Sequence, residues 1–170
     1  AAGVLAPDGK IYFAPSCADR VLAVDPDSHT ASEIGPIMPD CYFKYRAAGV
    51  LAPDGKIYFA PCCADRILAV DPDAHTASEI GPIMPGLHKY TAAGVLAPDG
   101  KIYFAPYWAD RSLAVDPDAH TASEIGPIMP GEYKYSAAGV LAPDGKIYFA
   151  PSCAHSVLAV DPDAHTASMI

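Results

Sequence analysis

Basic charge is scarce in this chain. Its 170 residues hold 11 lysines and arginines against 20 aspartates and glutamates, a formal net charge of −9. Nucleic-acid binding needs a basic face to neutralise phosphates and is not expected here. Long apolar runs are lacking too: none approaches the roughly 18 residues of a membrane-spanning helix, so no membrane span is expected. No secretory leader is visible, and a chain that opens at Ala1 without methionine reads as a processed form or as part of a longer one. The 5 cysteines form no C-x-x-C pair and are odd in number, which suits neither a disulfide scaffold nor a zinc finger.

Proline and glycine, by contrast, are plentiful and ordered. The 18 prolines and 13 glycines recur at fixed places, so they punctuate turns rather than signal disorder. "AAGVLAPDGKIYFAP" begins at residues 1, 47, 92 and 137, a period of 46 and then twice 45. A fixed period of this length marks a repeat architecture. In the second copy four short apolar segments, 47–52, 56–60, 66–70 and 76–80, are separated by "PDG", "PCCAD" and "DPDAH". In Pro-Asp-Gly the proline presets φ, the aspartate bonds the local backbone and the glycine takes the positive φ. Segments of this length between such breaks are strands of a meander. Helical repeats would need uninterrupted runs of about 10–12 residues, which the recurring prolines break.

Four antiparallel strands in about 45 residues describe one blade of a β-propeller. The phrase "AGVLAPDGKIYFAPxxADRVLAVDP" resembles the repeats of NHL- and kelch-like propellers, and of uncharacterised tandem-repeat propellers marked by "GVLAPNGKIY". The kelch double glycine and the WD dipeptide are absent. The resemblance implies an all-β propeller with blades at 1–46, 47–91, 92–136 and 137–170, each with its first strand nearest the axis. Because the last unit stops at its fourth strand, no blade is shared between the termini. Three arrangements stay open: a closed four-blade ring, half of an eight-bladed ring completed by a second copy, or a segment of a longer propeller.

The copies differ mainly at one end. The loop after the second strand reads Ser16-Cys17, Cys62-Cys63, Tyr107-Trp108 and Ser152-Cys153 in turn. The connectors to the next blade, which emerge at the same end, carry Cys41-Tyr42-Phe43, Leu87-His88 and Glu132-Tyr133. The opposite-end turns, "APDGK" and "DPDxHT", hardly change. Variation concentrated on a rigid scaffold suits a binding face. Next to the inner strand, Lys44-Tyr45, Lys89-Tyr90 and Lys134-Tyr135 are expected at the channel mouth, followed by Arg46, Thr91 and Ser136.

Chemistry-bearing residues each have a plain structural reading. Cys17, Cys63 and Cys153 are equivalent, but Trp108 breaks the ring of thiols, so free cysteines in loop niches and no metal are expected. His29, His75, His120 and His165 read as turn histidines bonded locally beside their aspartates, and His88 and His155 are singular. Asp19-Arg20, Asp65-Arg66 and Asp110-Arg111 are expected to pair between blades or to bond loop backbone, and "DPD" reads as a turn rather than a calcium loop. The inner strands, "AAGVLA", offer no acid, base or nucleophile. The expectation is a binding or scaffold module without cofactor or catalysis, engaging a protein partner, a small ligand or a second copy. The alternatives are an engineered or consensus-derived repeat protein, a structural subunit of a larger assembly, and a propeller-type metal-dependent hydrolase.

Overall fold

A computed structural model describes residues 2–38 and 41–170. Ala1, which opens the first repeat, and Asp40, which opens the first connector, lie outside these residues. Each repeat folds into one antiparallel sheet with its strands in chain order. The first blade has β1 (Val4–Leu5), β2 (Ile11–Phe13), β3 (Val21–Asp25) and β4 (Thr30–Ile34). The second has β5 (Val50–Leu51), β6 (Ile57–Phe59), β7 (Ile67–Asp71) and β8 (Thr76–Ile80). The third has β9 (Val95–Leu96), β10 (Ile102–Phe104), β11 (Ser112–Asp116) and β12 (Thr121–Ile125). The fourth has β13 (Val140–Leu141), β14 (Ile147–Phe149), β15 (Leu158–Asp161) and β16 (Thr166–Met169). The described residues contain no helix long and apolar enough to cross a membrane.

Turn chemistry sets the register. Asp8 Oδ1 accepts the Lys10 amide at 3.1 Å, and Asp8 Oδ2 accepts the Tyr12 hydroxyl at 2.8 Å. Asp54, Asp99 and Asp144 repeat both bonds with Lys56 and Tyr58, Lys101 and Tyr103, and Lys146 and Tyr148. At the outer turn Asp25 Oδ1 accepts the amides of Asp27 and Ser28, which holds its carboxyl below the usual carboxylate range. The first strand is shorter than the segment 47–52 suggests. Gly49 sits under the Phe59 ring, where a Cβ would meet a ring carbon at 2.5 Å, and only Val50–Leu51 pair with β6.

Strand alternation gives every sheet two apolar faces. In the first blade Tyr12, Val21, Ala23 and Ile34 share one face, while Ile11, Phe13, Leu22 and Val24 share the other. The first set, with Met38 and Tyr45, packs against Ile57, Phe59, Leu68, Val70 and Ala77 of the next blade. The same sets meet at the second and third junctions. Gly126 (φ +79°) shows how tight a junction is: a Cβ there would lie 2.7 Å from Ala167 Cβ of the following blade.

Among the described residues the two outermost faces have no such partner. Leu22 is 38% exposed, whereas its equivalents Leu68, Leu113 and Leu158 are fully buried. At the far end Tyr148 is only half-buried, whereas Tyr12, Tyr58 and Tyr103 are completely buried. The four sheets therefore form an open arc and do not close on themselves. This removes the compact four-blade ring, because the outer faces of the first and fourth sheets stay open instead of covering each other.

Candidate functional site

The variable end is held by a backbone lattice. Each connector bonds the loop of its own blade and the loop of the next: the Lys44 amide donates to Ser16 O, and Lys44 O accepts the Cys62 amide at 2.8 Å. Lys89 does the same between Cys62 O and the Tyr107 amide, and Lys134 between Tyr107 O and the Ser152 amide. One residue earlier, the carbonyls of Phe43, His88 and Tyr133 accept the amides of Cys63, Trp108 and Cys153. The side chains that vary are thus hung on bonds that do not.

Those three connector residues share a rare backbone state. Phe43, His88 and Tyr133 have φ of 59°, 51° and 56°, a region that bulky side chains seldom adopt. It turns their rings along the face rather than away from it. Tyr133 lies edge-on to both Tyr107 and Trp108, with centroids 5.3 and 5.5 Å apart. His88 lies 4.8 Å from Trp108 and 6.2 Å from Phe43, and the Arg46 guanidinium sits over Phe43. One chain of ring contacts therefore links the three connectors. Tyr42 (74% exposed), Leu87, Cys17, Glu132, Ser152 and Cys153 flank it in solvent, and Ser16 and Cys41 are half-buried. Trp108 Nε1 is buried and has no hydrogen-bond partner among the described residues.

Crevices open where each connector leans on the next blade. Between the second and third blades one of about 500 Å³ is lined by Ile83, Leu87, Lys89, Trp108, Asp110 and Glu124 among others. Its counterpart one junction earlier, about 270 Å³, is lined by Met38, Cys41, Lys44, Cys63, Arg66 and Glu79 among others.

The residues expected at the channel mouth are elsewhere. Tyr45, Tyr90 and Tyr135 are fully buried, and Lys44, Lys89 and Lys134 nearly so. The tyrosine hydroxyls donate to the carbonyls of Arg66, Arg111 and Ser156 on the following blade, which makes them wedges between sheets. Lys44 Nζ donates to Ala18 O, Lys89 to Gly86 O and Lys134 to Gly131 O, and burial lowers the pKa of Lys89 and Lys134. The next position in each connector is the one that opens. Arg46, Thr91 and Ser136 line, with Tyr107, a cavity of about 200 Å³, and Thr91 Oγ1 is buried with no hydrogen-bond partner among the described residues.

The recurrent histidines are turn residues, the amides of His75, His120 and His165 donating to Pro72, Pro117 and Pro162 O. The rings of His75 and His165, however, reach the preceding blade instead of their own aspartates, with Nδ1 3.5 Å from the hydroxyls of Tyr12 and Tyr103. Of the two roles expected for the Asp-Arg arginines the backbone one is seen, within their own blade: Arg20 to Gly35 O at 2.8 Å, Arg66 to Gly81 O and Arg111 to Gly126 O.

The thiols are unequal. Cys17 and Cys153 are exposed, whereas Cys62 and Cys63 are buried beneath His88, whose Nδ1 lies 3.8 and 3.9 Å from their sulfurs. Burial, then the neighbouring Cys63, pushes the Cys62 thiol up to about 12. This is the one group of three metal-ligating side chains found converging among the described residues. Neither the absent C-x-x-C spacing nor the lone histidine in the connector signals it.

With this geometry in view, the chain can be set beside known proteins. Virginiamycin B lyase of Staphylococcus aureus, in an inactive form with quinupristin, superposes with a TM-score of 0.71 at 15% identity, over 98% of this chain and 53% of that one. The fold is β-propeller-like. A streptogramin B lyase gives a TM-score of 0.72 at 20% identity, over 98% of this chain and 52% of that chain. An auxiliary nutrient binding protein of Bacteroides ovatus gives 0.61 at 14%, over 98% and 40%. This propeller arc spans about half the length, or less, of these structures. No family model and no curated protein matches it, so the likeness reaches the fold and stops short of the NHL and kelch families.

Proposed function

We propose that the chain is a non-catalytic binding and scaffold module whose variable end recognises a protein or small ligand. The carrying observation is the aromatic chain Phe43–His88–Trp108–Tyr133, which links the three connectors over a backbone lattice that is the same at each junction. Aromatic side chains held rigidly, beside exposed apolar neighbours and adjoining crevices, have the composition of interaction hot spots. A nutrient-binding protein among the fold's relatives fits this reading, while the lyases mark the enzymatic alternative. Inner strands without acid, base or nucleophile weigh against catalysis.

The test compares what the immobilised wild type and a Tyr107→Ala, Trp108→Ala double variant retain from a lysate of the source. Ala119→Ser, at the opposite end and matching Ser28, is the control. Loss of the same bound species with the double variant alone supports the reading. Retention unchanged by the double variant overturns it.

A second reading rests on the open end faces. The face bearing Leu22 is the kind that each following blade presents at a junction, and the face bearing Tyr148 is the kind that receives it. The two ends are complementary, so a second copy, or further blades of a longer chain, would continue the arc by the same packing. Solution mass tests self-completion: association that Leu22→Glu abolishes supports a second copy, and a concentration-independent monomer refutes it.

A further inference from the structure

We propose that Cys62, Cys63 and His88 form a binding site for one thiophilic divalent cation, zinc foremost, set into the variable face. Their ligand atoms lie within 4.8 Å of one another, and His88 Nδ1 is 3.8 and 3.9 Å from the two sulfurs. An ion about 2.3 Å from sulfur and about 2.0 Å from nitrogen at the tetrahedral angle sets sulfur and nitrogen about 3.5 Å apart. The observed separations exceed this by a few tenths of an ångström, a movement within rotamer adjustment. Two thiolates and an imidazole form a soft donor set that favours zinc over magnesium or calcium.

The other blades supply an independent comparison. The connector side chain at positive φ turns back onto the two variable loop positions of its own blade, as Tyr133 does onto Tyr107 and Trp108. In the third blade this brings aromatic to aromatic. In the second it brings an imidazole to the only adjacent pair of thiols in the chain. The first blade has a single thiol in its loop, Cys17, and its connector residue is Phe43, which cannot ligate. A ligating residue thus stands at this connector position only where two thiols stand below it.

The site is also held in place. The His88 ring is wedged between Phe43 and Trp108, its carbonyl is tied to the Trp108 amide, and its φ of 51° limits where the side chain can point. Cys62 is fully buried and Cys63 nearly so, and Cys63 lines the crevice of about 270 Å³, which provides an entry path. Binding releases the two thiol protons, and the two thiolates balance the charge of the cation. Three protein ligands leave a fourth position for water or for a donor atom of a bound molecule. The inference does not depend on the recognition role of the face.

The experiment titrates cobalt(II), a spectroscopic stand-in for zinc, into the reduced, metal-free full chain. A thiolate-to-cobalt charge-transfer band saturating at one ion per chain and lost on adding zinc is expected. Cys62→Ser takes the residue that Ser16 and Ser152 place in other blades, and His88→Phe takes the residue at position 43, so both suit the fold. Each should weaken binding by more than about tenfold, while Cys17→Ser and Cys153→Ser leave it unchanged. Absence of the band in the wild type overturns the proposal. So does unaltered affinity in His88→Phe, or an equal loss in the Cys17 and Cys153 variants.

Discussion

Tyr103 and His165 join the third blade to the fourth: the phenol oxygen lies 3.5 Å from His165 Nδ1, and the rings meet edge-on at 6.3 Å. Tyr12 and His75 make the same contact between the first and second blades, and Tyr58 faces Pro117 O between the second and third. Tyr148, the fourth member, bonds Asp144 alone among the described residues, where no fifth sheet stands against it.

Removing the hydroxyl should therefore cost more inside the arc than at its end. Tyr103→Phe deletes the bond to Asp99 and the contact with His165, leaves Asp99 without that partner, and should lower unfolding free energy by about 1–3 kcal/mol. Tyr148→Phe, more open to water, should cost less than about 1 kcal/mol. Urea unfolding of the two variants checks the order, and equal losses would contradict it.

Stability should fall on the alkaline side. Burial first, then nearby carboxylates, raises the pKa of Tyr12, Tyr45, Tyr58, Tyr90 and Tyr103, and burial raises that of Tyr135. A folded-state pKa above the unfolded value means that the protonated form favours the fold. This contribution is complete below about pH 10, the unfolded tyrosine value, and is lost as pH climbs above it. Tyrosinate absorbance should rise together with loss of sheet signal in one transition above about pH 10. Smooth tyrosine titration with the sheets intact would refute the coupling.

Two glycines with similar backbone should respond differently to alanine. Gly145 (φ +81°) has open space where a Cβ would stand, so Gly145→Ala should cost only the conformational penalty, about 1–2 kcal/mol. Gly126 (φ +79°) adds a 2.7 Å clash with Ala167 Cβ on the next blade, and overpacking of this kind costs a further ~1–3 kcal/mol. Thermal unfolding should rank Gly126→Ala well below Gly145→Ala. The reverse order would show that the junction is looser than described.

Much of the fold was legible because it is written in local chemistry. Pro-Asp-Gly with its aspartate bonding the turn, and short apolar segments such as Ile11-Tyr12-Phe13 between turn residues, need no knowledge of distant residues. What lay hidden depends on blade against blade. Lys44 and Tyr45 look like polar mouth residues in sequence, yet Tyr45 finds its partner in Arg66 O, and Lys44 is buried with its amine on Ala18 O. His75 was legible as a turn residue, but not its reach to Tyr12, 63 positions earlier. His88 was singled out as unusual, although only its positive φ carries it onto Cys62 and Cys63. Closure was unreadable for a similar reason, since it depends on how sheet packs against sheet at every junction and not on any one turn.

The connector lattice has a consequence for how such a chain can grow. Its bonds run from backbone to backbone, so they survive any choice of side chain but proline at the variable positions. Copying one unit in frame would add a blade with its own plug and socket. The recognising surface would lengthen with it, and each duplicate could then diverge at its loop and connector without loosening the joints on either side.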